Sequence, residues 1–266
     1  MNMLVCVKQV PDTTEIKINP ETNTLIRDGV PSIVNPYDGY ALETAARIKD
    51  ENPDSKIVVL TMGPEQAKDA LRECLSVGAD KAYLVCDRAF AGSDTLATSY
   101  ILSRAIAKVE ELEGKFDIIF CGKQAIDGDT AQVGPQIAEY MDYPQITYGM
   151  EVSVDGDLVK VKREGEIGYT ITAAHTPCVV TMTQTFYEPR YPTIKSKMAA
   201  KKAQIETLTV ADFEVDTNRA GLKGSPTKVK KTYVPQRRKE GMIINEGAAD
   251  ASTRKLVEIL SNAAIV

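Results

Sequence analysis

The run from 118 to 134, IIFCGKQAIDGDTAQVG, holds the residues best suited to chemistry. Gly122, Gly128 and Gly134 permit close backbone approach. Asp129 and Thr130 can cap a following helix, whose first amides would hold a phosphate or pyrophosphate. The glycines are too widely spaced for GxGxxG and no GK[ST] follows, so the run is neither a dinucleotide fingerprint nor a P-loop. Asp127 and Asp129, two positions apart, suit an acid/base pair, Mg2+ ligands or acceptors for ribose hydroxyls; turn and cap duty is the plainer use of the same residues. Carboxylates repel phosphates, so ribose contact or capping is favoured over catalysis.

Two other segments belong beside it. NPYDGYALETAARIKD (35–50) opens on an Asn-Pro turn signal and continues as a helix, so Asn35 or Asp38 could bond a base or sugar or simply cap the helix. Cys6 lies between Val5 and Val7 in an apolar run, which favours packing near a ligand over nucleophilic attack. His175 is the only histidine, which counts against a histidine metal centre or a Ser-His-Asp triad, and no catalytic or metal-ligating residue is expected.

The elements that must position these residues alternate. Apolar, β-rich runs at 3–8, 56–62, 81–86 and 116–122 are separated by helical stretches at 38–50, 64–77, 94–112 and 130–141. This order predicts an α/β fold with an open parallel sheet and helices on both faces. Such a sheet binds ligands at the carboxyl ends of its strands. KQVPDT (8–13), TMGPE (61–65) and GKQAIDGDTAQVG (122–134) therefore converge on one crevice. From 146 to 182 alternating residues broken by Asp-Gly-Asp and Glu-Gly-Glu predict added β-hairpins, one turning at Asp155-Gly156. Beyond Tyr187 weak periodicity predicts an extended arm, followed by an amphipathic helix over 249–263 with Leu256, Ile259 and Leu260 on one face.

Composition excludes several classes. Hydrophobic residues at 43% and charged residues at 26% suit a folded globular chain, and a net charge of -5 argues against nucleic-acid binding. No apolar run approaches the roughly 18 residues of a membrane span. The N-terminal MNMLVCVKQV enters a strand directly, with no secretory or organelle signal, so a cytoplasmic location is expected. Five cysteines without a CxxC pair read as free thiols.

Five blocks then carry a resemblance in their order along the chain: VKQVPDT, NPYDGYALE, TMGP, GKQAIDGDTAQVGPQIAE with YPQITY, and EPRYPTIKSKMAAKK. Together they resemble the beta subunits of electron-transferring flavoproteins, the FixA family included. The resemblance implies an adenine-nucleotide α-hydrolase-like, Rossmann-like domain over 1–186, a recognition loop and extended arm over 187–248, and a C-terminal helix over 249–266 that docks on a partner subunit. It implies a heterodimer with an FAD-carrying alpha subunit. It places a nucleotide against Cys6, Asn35, Pro36, Tyr37, Asp38, Met62, Gly122, Lys123, Gln124, Ala125, Asp127, Gly128, Asp129, Thr130, Ala131, Gln132, Val133 and Gly134.

In one branch of that family the nucleotide is a structural AMP; in the electron-bifurcating branch it is a second FAD reduced by NADH. The wording GDTAQVGPQIAE, with ALETAARIKD and YPQITY, resembles the bifurcating branch and favours FAD. The resemblance then implies electron delivery to ferredoxin or flavodoxin and, through the alpha-subunit FAD, to an acyl-CoA dehydrogenase-type flavoenzyme. Ile194 and Met198, flanked by basic residues, are the implied anchors for that flavoenzyme.

Overall fold

The computed structural model describes residues 1–12, 31–230 and 241–266. Thr13, at the end of the first of the converging segments, and residues 231–240 lie outside them.

A nine-stranded sheet organises the main unit. The chain runs through β1 (Asn2–Cys6), a small antiparallel pair β2 (Gln9–Pro11) and β3 (Ser32–Val34), α1 (Pro36–Glu51), β4 (Lys56–Met62), α2 (Lys68–Ser76), β5 (Lys81–Val85), α3 (Thr95–Glu113) and β6 (Ile118–Gly122). It continues through α4 (Val133–Met141), β7 (Gln145–Asp155), β8 (Leu158–Glu164), β9 (Tyr169–His175), β10 (Cys178–Met182), α5 (Ile194–Lys202), β11 (Glu206–Leu208), α6 (Gly221–Gly224) and α7 (Ala249–Asn262). The spatial order is β11-β5-β4-β1-β6-β10-β7-β8-β9, with every pairing parallel except β7–β8 and β8–β9.

The strands form because their apolar residues can be buried on both faces. Met3, Val5 and Val7 pack with helices α1 and α2, whereas Leu4 and Cys6 pack with α3 and α4. In β6 Ile118 and Phe120 take the first side, and Ile119 and Cys121 the second. This period of two sends alternate side chains into two separate cores. Order reverses between β1 and β6: the chain builds outward through β4 and β5, then returns to place β6 on the other flank of β1. A crevice must open where the two directions part.

Three expectations change. The helix expected from 130 starts only at Val133, because Asp129 and Ala131 stand at φ 52° and 51°, in left-handed conformations that cannot continue a right-handed helix. The residues from 146 to 182 do more than extend an edge: β7, β8 and β9 form the antiparallel wing, but β10 inserts in parallel between β6 and β7. The segment after Tyr187 is not an extended arm as far as Lys230. Helix α5 opens on a Thr193–Ser196 capping box and packs on α2, and β11 adds to the sheet beside β5. The main compact unit accordingly reaches Lys230, past the expected boundary at 186, and a second unit contains the described residues 241–266. Within that second unit α7 buries none of its residues, and Leu256 and Val257 are exposed. No helix among the described residues is long and apolar enough to cross a membrane.

Candidate functional site

A cavity of about 370 Å³ opens at the carboxyl ends of β1, β4 and β6. Its apolar floor comes from Cys6, Val7, Met62, Leu102 and Cys121, and its rim from Lys8, Lys123, Gln124, Ser93, Thr95 and the 128–134 loop.

One buried pair sets the spacing of this floor. Asp38, in the first turn of α1, accepts hydrogen bonds from the backbone N–H of Lys8 at 2.7 Å, from that of Gly122 at 3.1 Å and from Asn35 Nδ2 at 2.9 Å. A carboxylate on α1 thereby ties the ends of β1 and β6 to each other. Gly122 must be glycine for this approach, since a Cβ there would stand 2.2 Å from Asp38 Oδ1. Asn35, fully buried, extends the tie: Nδ2 also donates to the carbonyl of Gln124 at 2.8 Å and Oδ1 accepts from Ile126 N–H at 3.1 Å. Burial pushes the Asp38 carboxyl up to about 7, against the opposing pull of these three donors and of Lys8.

The loop above the floor is shaped for an anion. Asp129 and Ala131 turn left-handed on either side of Thr130, and the amides of Thr130, Ala131 and Gln132 have no acceptor among the described residues. Alternating hand and unpaired amides at the entry to α4 make a concave cluster of donors. Gly134 lets the first turn of α4 close on the sheet: a Cβ there would lie 2.6 Å from Thr181 Cγ2 and 3.4 Å from Cys121 Cβ. Positive charge is at hand in Lys8 and Lys123.

Residues 22–213 match the family model for an electron transfer flavoprotein domain. The chain is 54% identical over 246 residues to the electron transfer flavoprotein subunit beta of Megasphaera elsdenii, covering 92% of this chain and 91% of the other. It is 51% identical to the same subunit of Thermoanaerobacterium thermosaccharolyticum over the full length of both. The chain belongs to the electron transfer flavoprotein family, as a beta subunit. A further relative is the caffeyl-CoA reductase-Etf complex subunit CarD of Acetobacterium woodii, 44% identical over the whole of both chains.

In this beta subunit the residues singled out from sequence divide into two groups. Cys6, Asp38, Met62, Gly122, Lys123, Gln124, Ala125, Gly128, Thr130, Ala131, Gln132, Val133 and Gly134 line the cavity. Asn35, Pro36, Tyr37, Asp127 and Asp129 stand behind it. Asn35 is a brace, and its side chain makes no cap bond to α1. Tyr37 packs against Gly122, and Lys123 Nζ lies 5.8 Å from its ring centre. Asp127 pairs with Lys8 Nζ at 2.7 Å, and Asp129 accepts from Gln124 Nε2 at 2.5 Å. Neither Asp129 nor Thr130 caps α4, whose N-cap position is Gln132 with no side-chain cap bond. The carboxylates of 127 and 129 instead fasten the loop to β1 and to itself.

Ser93, Asp94, Thr95, Thr98 and Leu102 also line the cavity, from the end of β5 and the start of α3. The signal for them was present in the sequence: a parallel strand places its carboxyl end on the same side as its neighbours, so the strand at 81–86 also pointed to the crevice. Asp94 caps α3 at Ala97 N–H (3.1 Å), and Thr95 Oγ1 donates to Gln132 Oε1 at 2.9 Å, joining this wall to the loop.

The state of Asp38 has a measurable consequence. With its pKa raised from 3.8 to about 7 in the folded chain, the native state holds a proton that the unfolded chain has released, so stability falls as pH rises between those values. Asp38→Asn removes this fall. It also sets an amide donor against an amide donor, lowering stability by about 1–3 kcal/mol. Urea unfolding of both proteins across that pH range checks both effects.

Proposed function

We propose that this beta subunit binds FAD in the cavity, takes electrons from NADH there, and directs them along two routes. One leads to ferredoxin or flavodoxin; the other leads, through the FAD of the alpha subunit, to an acyl-CoA dehydrogenase-type flavoenzyme. The observation that carries the reading is the set of unpaired amides at Thr130, Ala131 and Gln132, poised over an apolar floor at the β1/β6 switch point. A planar base suits the sulfur- and valine-lined floor, ribose hydroxyls suit the Ser93, Thr95 and Gln132 wall, and phosphates suit the loop.

FAD bound there would supply hydride acceptance and one-electron transfer. The chain's own groups hold and orient it. Lys8 and Lys123 offset phosphate charge, the Asn35–Asp38 tie fixes the walls, and Met62 and Leu102 keep water off the apolar side. The wording of the 128–139 and 143–148 blocks supports FAD over a structural AMP, and the relationship to a caffeyl-CoA reductase-Etf subunit supports a partner that acts on a CoA thioester.

The flavoenzyme is assigned to the segment around α5. Arg190 holds the base of that segment to α1 through Glu43 (2.8 Å) and Asp50 (2.7 Å), leaving Ile194 and Met198 exposed among Lys195, Lys197, Lys201 and Lys202. An apolar anchor within a basic ring gives fast, salt-sensitive exchange, as an electron shuttle needs. The exposed Leu256 and Val257 of α7 are assigned to the alpha subunit.

Nucleotide extraction from the purified alpha–beta complex tests the cofactor: FAD in excess of the alpha subunit's own is expected, whereas AMP with no excess FAD refutes it. Alanine at Ile194 and Met198 together is expected to raise KM for the flavoenzyme about tenfold, at more than 1 kcal/mol for a central anchor. Nucleotide content stays unchanged. Steady-state electron transfer measures the effect.

A further inference from the structure

Cys6 and Cys121 are free thiols that play no part in the chemistry derived above. They are direct register partners on the parallel strands β1 and β6, and both face the α3/α4 side of the sheet. Both also line the cavity, with little of either exposed. No other cysteines in the chain are register partners: Cys74 is in α2, Cys178 pairs with Ile118, and Cys86 lies past the end of β5. Packing alone would account for two small buried residues. It does not account for two thiols opposite each other on the one floor that a ligand covers and uncovers.

We propose that Cys6 and Cys121 are an oxidation site, forming a reversible disulfide under hydrogen peroxide when no nucleotide covers the floor. The shielding rests on the reading of the cavity as a nucleotide site; the bond itself does not. Neighbouring strands lie about 4.8 Å apart, and a disulfide spans Cα separations of about 4.4–6.8 Å. The nearness of Cys6, with burial, holds the Cys121 thiol well above the ordinary range. Cys6 is the more exposed of the two, so attack begins there.

The Cys6 thiolate attacks one peroxide oxygen, the O–O bond breaks, and the departing hydroxide takes a proton to become water, leaving a sulfenic acid. Cys121 gives its proton to solvent and attacks that sulfur. The S–S bond forms, the S–O bond breaks, and hydroxide again leaves as water. Two thiols are oxidised by two electrons, and one peroxide becomes two waters. The link draws the ends of β1 and β6 together where Asp38 spaces them, so an oxidised, empty subunit reloads nucleotide poorly until it is reduced.

The test uses the alpha–beta complex in a Cys86→Ser background, which removes the more exposed thiol, stripped of nucleotide and treated with hydrogen peroxide. Peptide mapping is expected to find Cys6 joined to Cys121, and dithiothreitol to release it. AMP at about ten times its Kd is expected to slow the link about tenfold. In Cys121→Ala the Cys6 sulfenic acid is expected to persist and to be trapped by dimedone. A stripped complex that gives no Cys6–Cys121 peptide overturns the proposal, and so does a link forming equally fast with AMP retained. If AMP is not retained at all, the reading of the cavity fails instead, and the stripped sample still decides whether the thiols join.

Discussion

Everything at the cavity depends on one buried carboxylate. Asp38 takes the amides of Lys8 and Gly122 and so fixes the distance between two strand ends that the sheet itself leaves to diverge. Two opposing effects act on it. Removal from water favours the neutral acid, while three donors favour the ion, and the balance leaves the group titrating near neutrality. Asn35 relays the same constraint to the loop at Gln124 and Ile126, so floor and rim move as one assembly. Asn35, Asp127 and Asp129 thus brace the cavity's walls from outside its lining, and their substitution is felt through geometry.

Much of the fold was legible because parallel strands buried on both faces are continuous apolar runs. The run at 56–62 is β4 residue for residue, and the helix around 94–112 is α3 to within a residue at either end. The family blocks likewise marked most of the cavity wall. Less legible were features fixed by non-local pairing or by backbone hand. No local pattern says that β10 will slip between β6 and β7, or that three residues at 206–208 will extend the far edge beside β5. Left-handed Asp129 and Ala131 carry no glycine to announce them, so the start of α4 was read three residues early. Ser93 and Thr95, at the opening of the helical stretch, reach the wall through the shared direction of the strand ends.

The two cores divide the work. On the α1/α2 side sit the brace at Asn35 and Asp38 and, through Arg190 and Glu43, the foot of the segment that presents Ile194 and Met198. On the α3/α4 side sit the thiols, the hydroxyl wall and the amide loop. A single helix, α1, therefore bears on both the cavity and the proposed flavoenzyme-docking segment. On the proposed function, this arrangement would let a rigid sheet hold the cofactor at fixed depth while an exposed, charged segment exchanges partners.

The central claim is that the Asn35–Asp38 tie holds the cavity's walls together. Amide hydrogen exchange in wild type and Asn35→Ala tests it most directly. The account predicts faster exchange confined to Lys8 and residues 122–126 in the variant, with the interiors of β4 and β6 as protected as before. Unchanged exchange in that loop, or a uniform rise across the sheet, would contradict it.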